Sequence, residues 1–309
     1  MNSNDLVTII LSIYNETTEM ISKSISSILN QTYKNIELIL VNDNPDRLEL
    51  DQLINSFIKI DNRIVYLKNK ENKGLVFSLN YALKYAKGNF IARMDADDIS
   101  LNDRIEKQIC YINANQLDMI GSGVILIDEN DKQIGKIDVP QSNDKIVKLY
   151  KFGSYLLHPT WFVRKEVYIS LKGYRNIFSC EDYDFVLRAI LKNVKFGNIA
   201  EPLLKYRIRS SSISNSSNIK QKLITLFLRK NISRIQSIRV EQINEYLLSN
   251  SYKEDYQLLE KYISVKNKIK THNTVNFGDL FSLLINKYFY FGIYNFISIK
   301  YHTTDLITN

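Results

Sequence analysis

At 309 residues the chain is long enough for one large domain or two, and its 45% hydrophobic content supplies a sizeable core and excludes a disordered polypeptide. With 41 Lys and Arg against 33 Asp and Glu, the net charge of +8 favours anionic partners such as nucleotide phosphates or acidic lipid. No helix-turn-helix, zinc-finger or RNA-binding aromatic pattern accompanies that charge, so nucleic acid is not an expected partner.

Residues 6–13 form an almost unbroken apolar, β-branched run, the pattern of a central parallel strand buried on both faces. Tyr14 and Asn15 follow at its C-terminal end. Thr17 or Thr18 is placed to cap a helix whose Ile21, Ile25, Ile28 and Leu29 recur on one face. Residues 36–41 read as a second strand, ending in Asn42-Asp43-Asn44-Pro45. Residues 48–58 suit a helix and 63–67 a third strand. A polar turn over 69–74 leads into a helix with the stripe Leu75, Leu79, Ala82, Leu83 and Ala86, closed by Gly88. The alternation predicts an α/β fold: a doubly wound, mostly parallel sheet with helices on both faces.

The fourth strand of that series carries the most chemistry. Phe90 to Met94 is apolar except for Arg93, and it ends in Asp95-Ala96-Asp97-Asp98. Three carboxylates at one strand end repel one another unless something offsets the repulsion. A divalent cation does so, since Mg²⁺ and Mn²⁺ prefer hard carboxylate oxygens. The plainer reading is a polar turn with an acid capping the next helix. Asp-x-Asp is weak on its own, and a second copy occurs at Asp182 and Asp184. Position adds weight: Tyr14-Asn15, Asn42-Asp43 and Asp95–Asp97 all fall at strand C-termini, the edge where parallel sheets bind ligands.

Beyond Arg104 a helix turns Ile105, Ile109 and Ile112 inward, and residues 119–127 form a strand that 133–139 pairs with as a hairpin. Residues 144–152 are predicted helical. His158-Pro159-Thr160 precedes a short strand at 161–163 and a helix over 165–171 that Gly173 ends. Glu181 and Asp182 open a further helix, whose N-terminus would help keep Asp182 ionised. Residues 194–199 and 203–208 are two strand candidates, and 210–217 is a Ser/Asn-rich loop. From 219 the chain turns helical, with two or three helices expected by residue 270. Residues 277–301 interleave aromatics, Tyr288 to Phe291 and Tyr294 among them, with Lys287 and Lys300. That segment reads either as an amphipathic peripheral contact with a membrane surface, or as packing or homodimer self-association.

Two cysteines, Cys110 and Cys180, are too few for a disulfide scaffold and fit a reducing compartment. Three scattered histidines offer no zinc-type cluster. No signal peptide and no apolar run of ~18 residues is present, so no membrane-spanning helix is expected.

Ile13-Tyr14-Asn15, Gln31-Thr32-Tyr33, Val41-Asn42-Asp43, Asn72-Lys73-Gly74 with Asn80, Met94–Asp98, Arg104 with Gln108, His158-Pro159-Thr160, Gly173-Tyr174, Glu181–Asp184 and Tyr206-Arg207 follow one another in order. As a set they resemble the family 2 glycosyltransferases of GT-A fold, especially bacterial enzymes of capsule, lipopolysaccharide and O-antigen synthesis. The match runs over residues 6–214. The resemblance implies a GT-A catalytic domain over 1–218, with a nucleotide-sugar-binding half at 1–100 and an acceptor-binding half at 101–218. Residues 219–309 form a helical C-terminal region.

The resemblance further implies an inverting, metal-dependent transfer from a nucleotide-diphosphate sugar, a UDP-sugar by first expectation, to a glycan or lipid-linked acceptor. Asp43 would bond the base, and Tyr14 and Asn15 would lie along the nucleoside. Asn72, Lys73, Gly74, Asn80, Arg93 and Ala96 complete the donor site. Asp95 and Asp97 would hold Mn²⁺ or Mg²⁺, Asp97 more directly, and Asp182 would be the catalytic base with Glu181 supporting it. His158, Arg207 and Arg209 are candidates for acceptor or phosphate, and Trp161 and Tyr183 for sugar stacking or the core. Three departures stand out. No proline precedes the Tyr-Asn pair, Asn42 replaces a common Asp, and Arg209 replaces a common His, where it would contact the diphosphate. The expected location is cytoplasmic, peripheral at the inner face of the plasma membrane. Two alternatives stand: a nucleotidyltransferase on a similar sheet, or a nucleotide-sugar-binding protein without turnover.

Overall fold

The protein is described by a computed structural model covering residues 5–209, 219–271, 277–284 and 286–303. The side chains of residues 270, 277–280 and 296–303 and the Ser/Asn segment 210–217 lie outside the described residues. The first half alternates as its apolar runs require: β1 (Val7–Ile13), α1 (Thr18–Leu29), β2 (Ile36–Asn42), α2 (Leu48–Ile58), β3 (Ile64–Lys68), α3 (Leu75–Tyr85) and β4 (Phe90–Asp95). Thr17 caps α1, its hydroxyl accepting from the Met20 N–H at 3.2 Å. The two-residue strand β5 (Ile99–Ser100), α4 (Arg104–Ala114), β6 (Met119–Ile127), β7 (Gln133–Ile137) and α5 (Asn143–Leu149) follow. A 3-10 turn at His158–Thr160 leads to β8 (Phe162–Arg164), α6 (Lys165–Leu171), α7 (Glu181–Ile190) and β9 (Phe196–Arg207).

Among the described residues these strands form one sheet in the order β3-β2-β1-β4-β8-β6-β9-β5, with β7 on β6. β1, β2, β3 and β4 run parallel, β8 is antiparallel to β4 and β6, and β6 runs parallel to β9. Alternation along the strands splits the core in two. Ile9, Leu11, Leu38 and Leu40 face α1, α2 and α4, while Ile10, Ile39 and Val41 face α3, α6 and α7. Both faces are covered, which is why β1 and β2 read as continuous apolar runs. Register aligns Ile13 with Asn42 and Ser12 with Asp95, so the ends of β1, β2 and β4 share one edge.

One strand differs from expectation. The two candidates at 194–199 and 203–208 are a single strand, β9, whose register against β6 shifts around Gly123. Glu201-Pro202 splits the sequence pattern, since proline offers no ladder N–H, and the bulge absorbs it.

The C-terminal region carries α8 (Ile219–Lys230), α9 (Val240–Leu248), α10 (Asn250–Lys270), α11 (Phe277–Leu284) and α12 (Lys287–Thr303). Ile224 and Leu228 of α8 and Ile243 of α9 join the core beneath α7. Leu223, Leu259 and Tyr288 bind α8, α10 and α12 together. Among the described residues no helix is long and apolar enough to cross a membrane.

Candidate active site

The shared strand edge begins with Tyr14 and Asn15, both exposed, directly after β1. Next to them Asp43 is buried. Its Oδ1 accepts from Asn69 Nδ2 at 2.7 Å and the Lys73 N–H at 2.8 Å, and its Oδ2 accepts from the Gly74 N–H at 2.8 Å. Asp43 therefore shapes the 69–74 loop from within. Gly74 turns the chain at φ +82°, a left-handed conformation that favours glycine, and Asn72 Oδ1 accepts from its N–H at 3.0 Å. The ammonium of Lys73 pairs with Glu71 at the surface. Asn80 is taken up by the turn at Gly173–Tyr174. Its amide is committed to Tyr174, donating to the carbonyl and accepting from the N–H, both at 2.9 Å. Gly173 sits at φ +72° against it, where a Cβ would meet Asn80 Oδ1 at 2.4 Å.

Arg93 and Asp95 lie two residues apart on β4, hence on the same face. The guanidinium forks onto the carboxylate, with Nη2 at 2.5 Å from Oδ1 and Nη1 at 2.8 Å from Oδ2. Arg93 is only 3% exposed, so it holds Asp95 from behind and does not meet a ligand itself. Asp97 lies in the turn beyond buried Ala96, paired with Arg209 Nε at 2.7 Å. Arg209 also faces Glu16, at 3.6 Å. Burial, then Asp95, pushes the Asp97 carboxyl up to about 6 despite Arg209. Asp98 is fully buried and held well above the carboxylate range by burial and by Asp95 and Asp97. Its Oδ1 accepts from the Arg207 N–H at 2.9 Å, and its Oδ2 has no hydrogen-bond partner.

No group of three or more His, Cys, Asp or Glu among the described residues is arranged to hold a metal ion alone. The donor set nevertheless fits Mg²⁺ or Mn²⁺ in its usual mode, one or two carboxylates completed by substrate phosphates. The Asp95 charge raises the cost of ionising Asp97, and Asp98 beside them keeps one oxygen without a hydrogen-bond partner.

A second acidic pair approaches from α7. Asp182 Oδ1 accepts from the Tyr183 N–H at 2.6 Å, so one carboxylate oxygen is fixed at the helix N-terminus. Burial raises the Asp182 carboxyl, against the pull of that N–H and of Arg93. Burial and then Asp182 push Glu181 up to about 7. Both acids feel Arg93 and Asp95 electrostatically, so donor edge and helix N-terminus face one crevice.

Several expected contacts belong instead to the frame. Trp161 is fully buried, donating Nε1–H to the Leu156 carbonyl at 3.1 Å and stacking on Tyr174, so no sugar reaches it. His158 hydrogen-bonds the Tyr174 hydroxyl at 2.9 Å, and burial holds its imidazole well below its ordinary value and neutral. Arg207 is a buried strut. Nε donates to the Asp97 carbonyl and Nη1 to the Asp128 carbonyl, both at 2.8 Å, and Nη2 pairs with Asp131 at 2.5 Å. It therefore braces the acidic turn and is not presented to phosphate. Tyr183 stacks on Tyr150 in the core. Asp184 is fully buried between Arg175 and Arg188. Glu16 and Asp131 were not singled out in the sequence. Only Glu16 carries a cue, its place three residues past the β1 end.

Residues 8–177 match the model for glycosyl transferase family 2. The chain is 38% identical over 215 residues to the O-antigen biosynthesis glycosyltransferase WbnJ of Escherichia coli, a match covering 69% of this chain and 84% of that one. It is 34% identical over 228 residues to the UDP-Glc:alpha-D-GlcNAc-diphosphoundecaprenol beta-1,3-glucosyltransferase WfgD of Escherichia coli, covering 68% and 80%. Among solved structures, TarS residues 1–349 of S. aureus in complex with UDP-GlcNAc superposes with a TM-score of 0.56 at 17% identity, over 81% of this chain and 78% of that one. The fold is thus GT-A, WbnJ is named for O-antigen biosynthesis, and the chain belongs to glycosyl transferase family 2.

Proposed function

We propose that this crevice transfers a sugar, with inversion, from a nucleotide-diphosphate sugar to a hydroxyl of a lipid-linked or growing glycan. The observation that carries the reading is the approach of two acidic pairs, Asp95–Asp97 and Glu181–Asp182, around the buried guanidinium of Arg93, which forks onto Asp95 and acts electrostatically on both α7 acids. One pair suits a leaving diphosphate and the other an acceptor proton. A UDP donor is supported by the printed donor of WfgD and by the UDP-GlcNAc complex of TarS. A lipid-linked acceptor is supported by the diphosphoundecaprenol acceptor in the name of WfgD. Such an acceptor suits work at the inner face of the plasma membrane.

The chemistry follows from the residues. Asp95, steadied by Arg93, and Asp97 would hold Mn²⁺ or Mg²⁺. When bound, that ion supplies Lewis-acid stabilisation of the charge gathering on the departing diphosphate. Asp182 has Oδ2 left to accept the acceptor's hydroxyl proton, since Oδ1 is held by the Tyr183 N–H. The acceptor oxygen bonds to the anomeric carbon as the bond to the diphosphate breaks, and a single displacement inverts the centre. Burial raises the proton affinity of Asp182 towards the working pH, which strengthens it as a base. Glu181 orients the acceptor beside it. The exposed Tyr14 and the 69–74 loop shaped by Asp43 form the nucleoside end.

The test is a panel of nucleotide sugars with Mn²⁺ or Mg²⁺, scored for nucleoside diphosphate release. Release from a UDP-sugar that depends on acceptor supports the reading. Diphosphate release from a nucleoside triphosphate supports a nucleotidyltransferase instead.

A further inference from the structure

A groove of about 320 Å³ lies between α8, α10 and α12, outside the strand-end crevice. Its walls are apolar and aromatic, formed by Leu226, Leu259, Tyr288 and Phe291, and its charged groups are Lys222 and Arg229. None of the described residues lining it is acidic. Partial burial and then the neighbouring Lys266 depress the Lys222 ammonium. Arg229 has a buried Nη2 without a hydrogen-bond partner, and the Phe291 ring lies 5.9 Å from its guanidinium.

Arg229 also ties the groove to the catalytic helix. Its Nε donates to the Tyr183 hydroxyl at 3.1 Å, and Tyr183 directly follows Asp182. One tyrosine side chain thus separates the cation of the groove from the backbone of the proposed base. Gly292 sets the width, since a Cβ there would meet the Tyr262 hydroxyl at 2.6 Å.

We propose that this groove docks the acceptor, and that the acceptor is an amphiphile: an apolar polyprenyl chain joined through a diphosphate to the sugar that receives the transfer. The inference rests on the transferase reading above. The apolar walls suit the chain, while Arg229 and Lys222 suit the diphosphate, for which the guanidinium is a matched fork. Tyr183 is the core side chain between Arg229 and Asp182, so the sugar beyond the diphosphate would reach Asp182 around its buried ring. The nucleotide has its own place at the strand ends.

The experiment is calorimetric titration of the full chain, with UDP saturating the strand-end site, by farnesyl diphosphate and by inorganic pyrophosphate. Sedimentation with phosphatidylglycerol vesicles runs alongside. Farnesyl diphosphate should bind and pyrophosphate should not. Leu226→Trp, which fills the groove, and Arg229→Gln should each weaken farnesyl diphosphate about tenfold or more, with UDP affinity kept. Lys222→Gln, on an exposed residue, should weaken it severalfold and keeps the test alive if the other variants fold poorly. Equal affinity for pyrophosphate, unchanged affinity in the variants, or attachment to vesicles without farnesyl diphosphate binding would overturn the groove assignment. Failure of UDP to bind would strike the transferase reading instead, leaving the farnesyl diphosphate result to judge the groove.

Discussion

The chain carries Asp-x-Asp twice, and the two copies have opposite fates. At the end of β4, Asp95 and Asp97 stay on the same crevice, and the Asp95 charge raises the cost of ionising Asp97. In α7, two residues amount to about 200° of helix, so Asp182 and Asp184 point apart. Asp182 remains at the crevice, whereas Asp184 is buried between Arg175 and Arg188. A motif is thus a statement about side-chain direction, and the secondary structure beneath it decides whether two acids act together. The surrounding arginines mark the difference. Asp184 has two guanidiniums for one carboxylate, whereas Asp95 and Asp97 have one each, Arg93 and Arg209.

Chelation separates the two motifs most sharply. Removing divalent cations should cut nucleoside diphosphate release by ~10³-fold, several kcal/mol of barrier, with recovery on adding Mn²⁺ or Mg²⁺. The melting temperature should barely move, because the helix motif is held by arginines. Asp184→Ala should do the reverse. It leaves Arg188 and Arg175 without their buried partner, at a cost of ~3–5 kcal/mol read by denaturant unfolding.

The pH profile tests the crevice acids next. Burial holds Asp182 above the ordinary carboxylate range and Glu181 at about 7. A raised value means that the proton is still bound where a solvent-exposed carboxylate has lost it, and a protonated base is inactive. Activity should therefore begin to fall below about 7, where Glu181 takes up its proton, and fall further as Asp182 protonates, instead of persisting to about 4 or 5. A flat kcat/KM between pH 5 and 8 would break this account of the α7 acids. The smallest effect belongs to Asn80→Ala, which frees the Gly173–Tyr174 turn. We expect ~1–3 kcal/mol of lost stability from its two hydrogen bonds, with donor affinity kept.

Much of this arrangement is written locally. The strands β1, β2 and β4 announce themselves by apolar runs because both faces of a parallel sheet are covered. Polar residues after each run then mark the ligand edge. What is not local is where a side chain spends its hydrogen bonds. His158, Trp161 and Arg207 have the residue types of a binding site, yet Tyr174, Leu156 and the 128–131 turn claim them. Asp43 and Asn80 are likewise committed to distant backbone, across 31 and 94 positions. Glu16 gains significance only once Arg209 folds back beside it. Pro202 misled for the opposite reason, since a local break in pattern is bridged by a bulge that only the partner strand reveals.

The central claim is that Asp182 takes the acceptor's proton while the strand end holds the leaving group. Asp182→Asn tests it directly, with transfer rate and nucleotide-sugar affinity measured on the same preparation. The account predicts a fall in kcat of ~10²- to 10⁴-fold with donor affinity unchanged. Full turnover in that variant, or loss of donor binding in step with loss of rate, would contradict it.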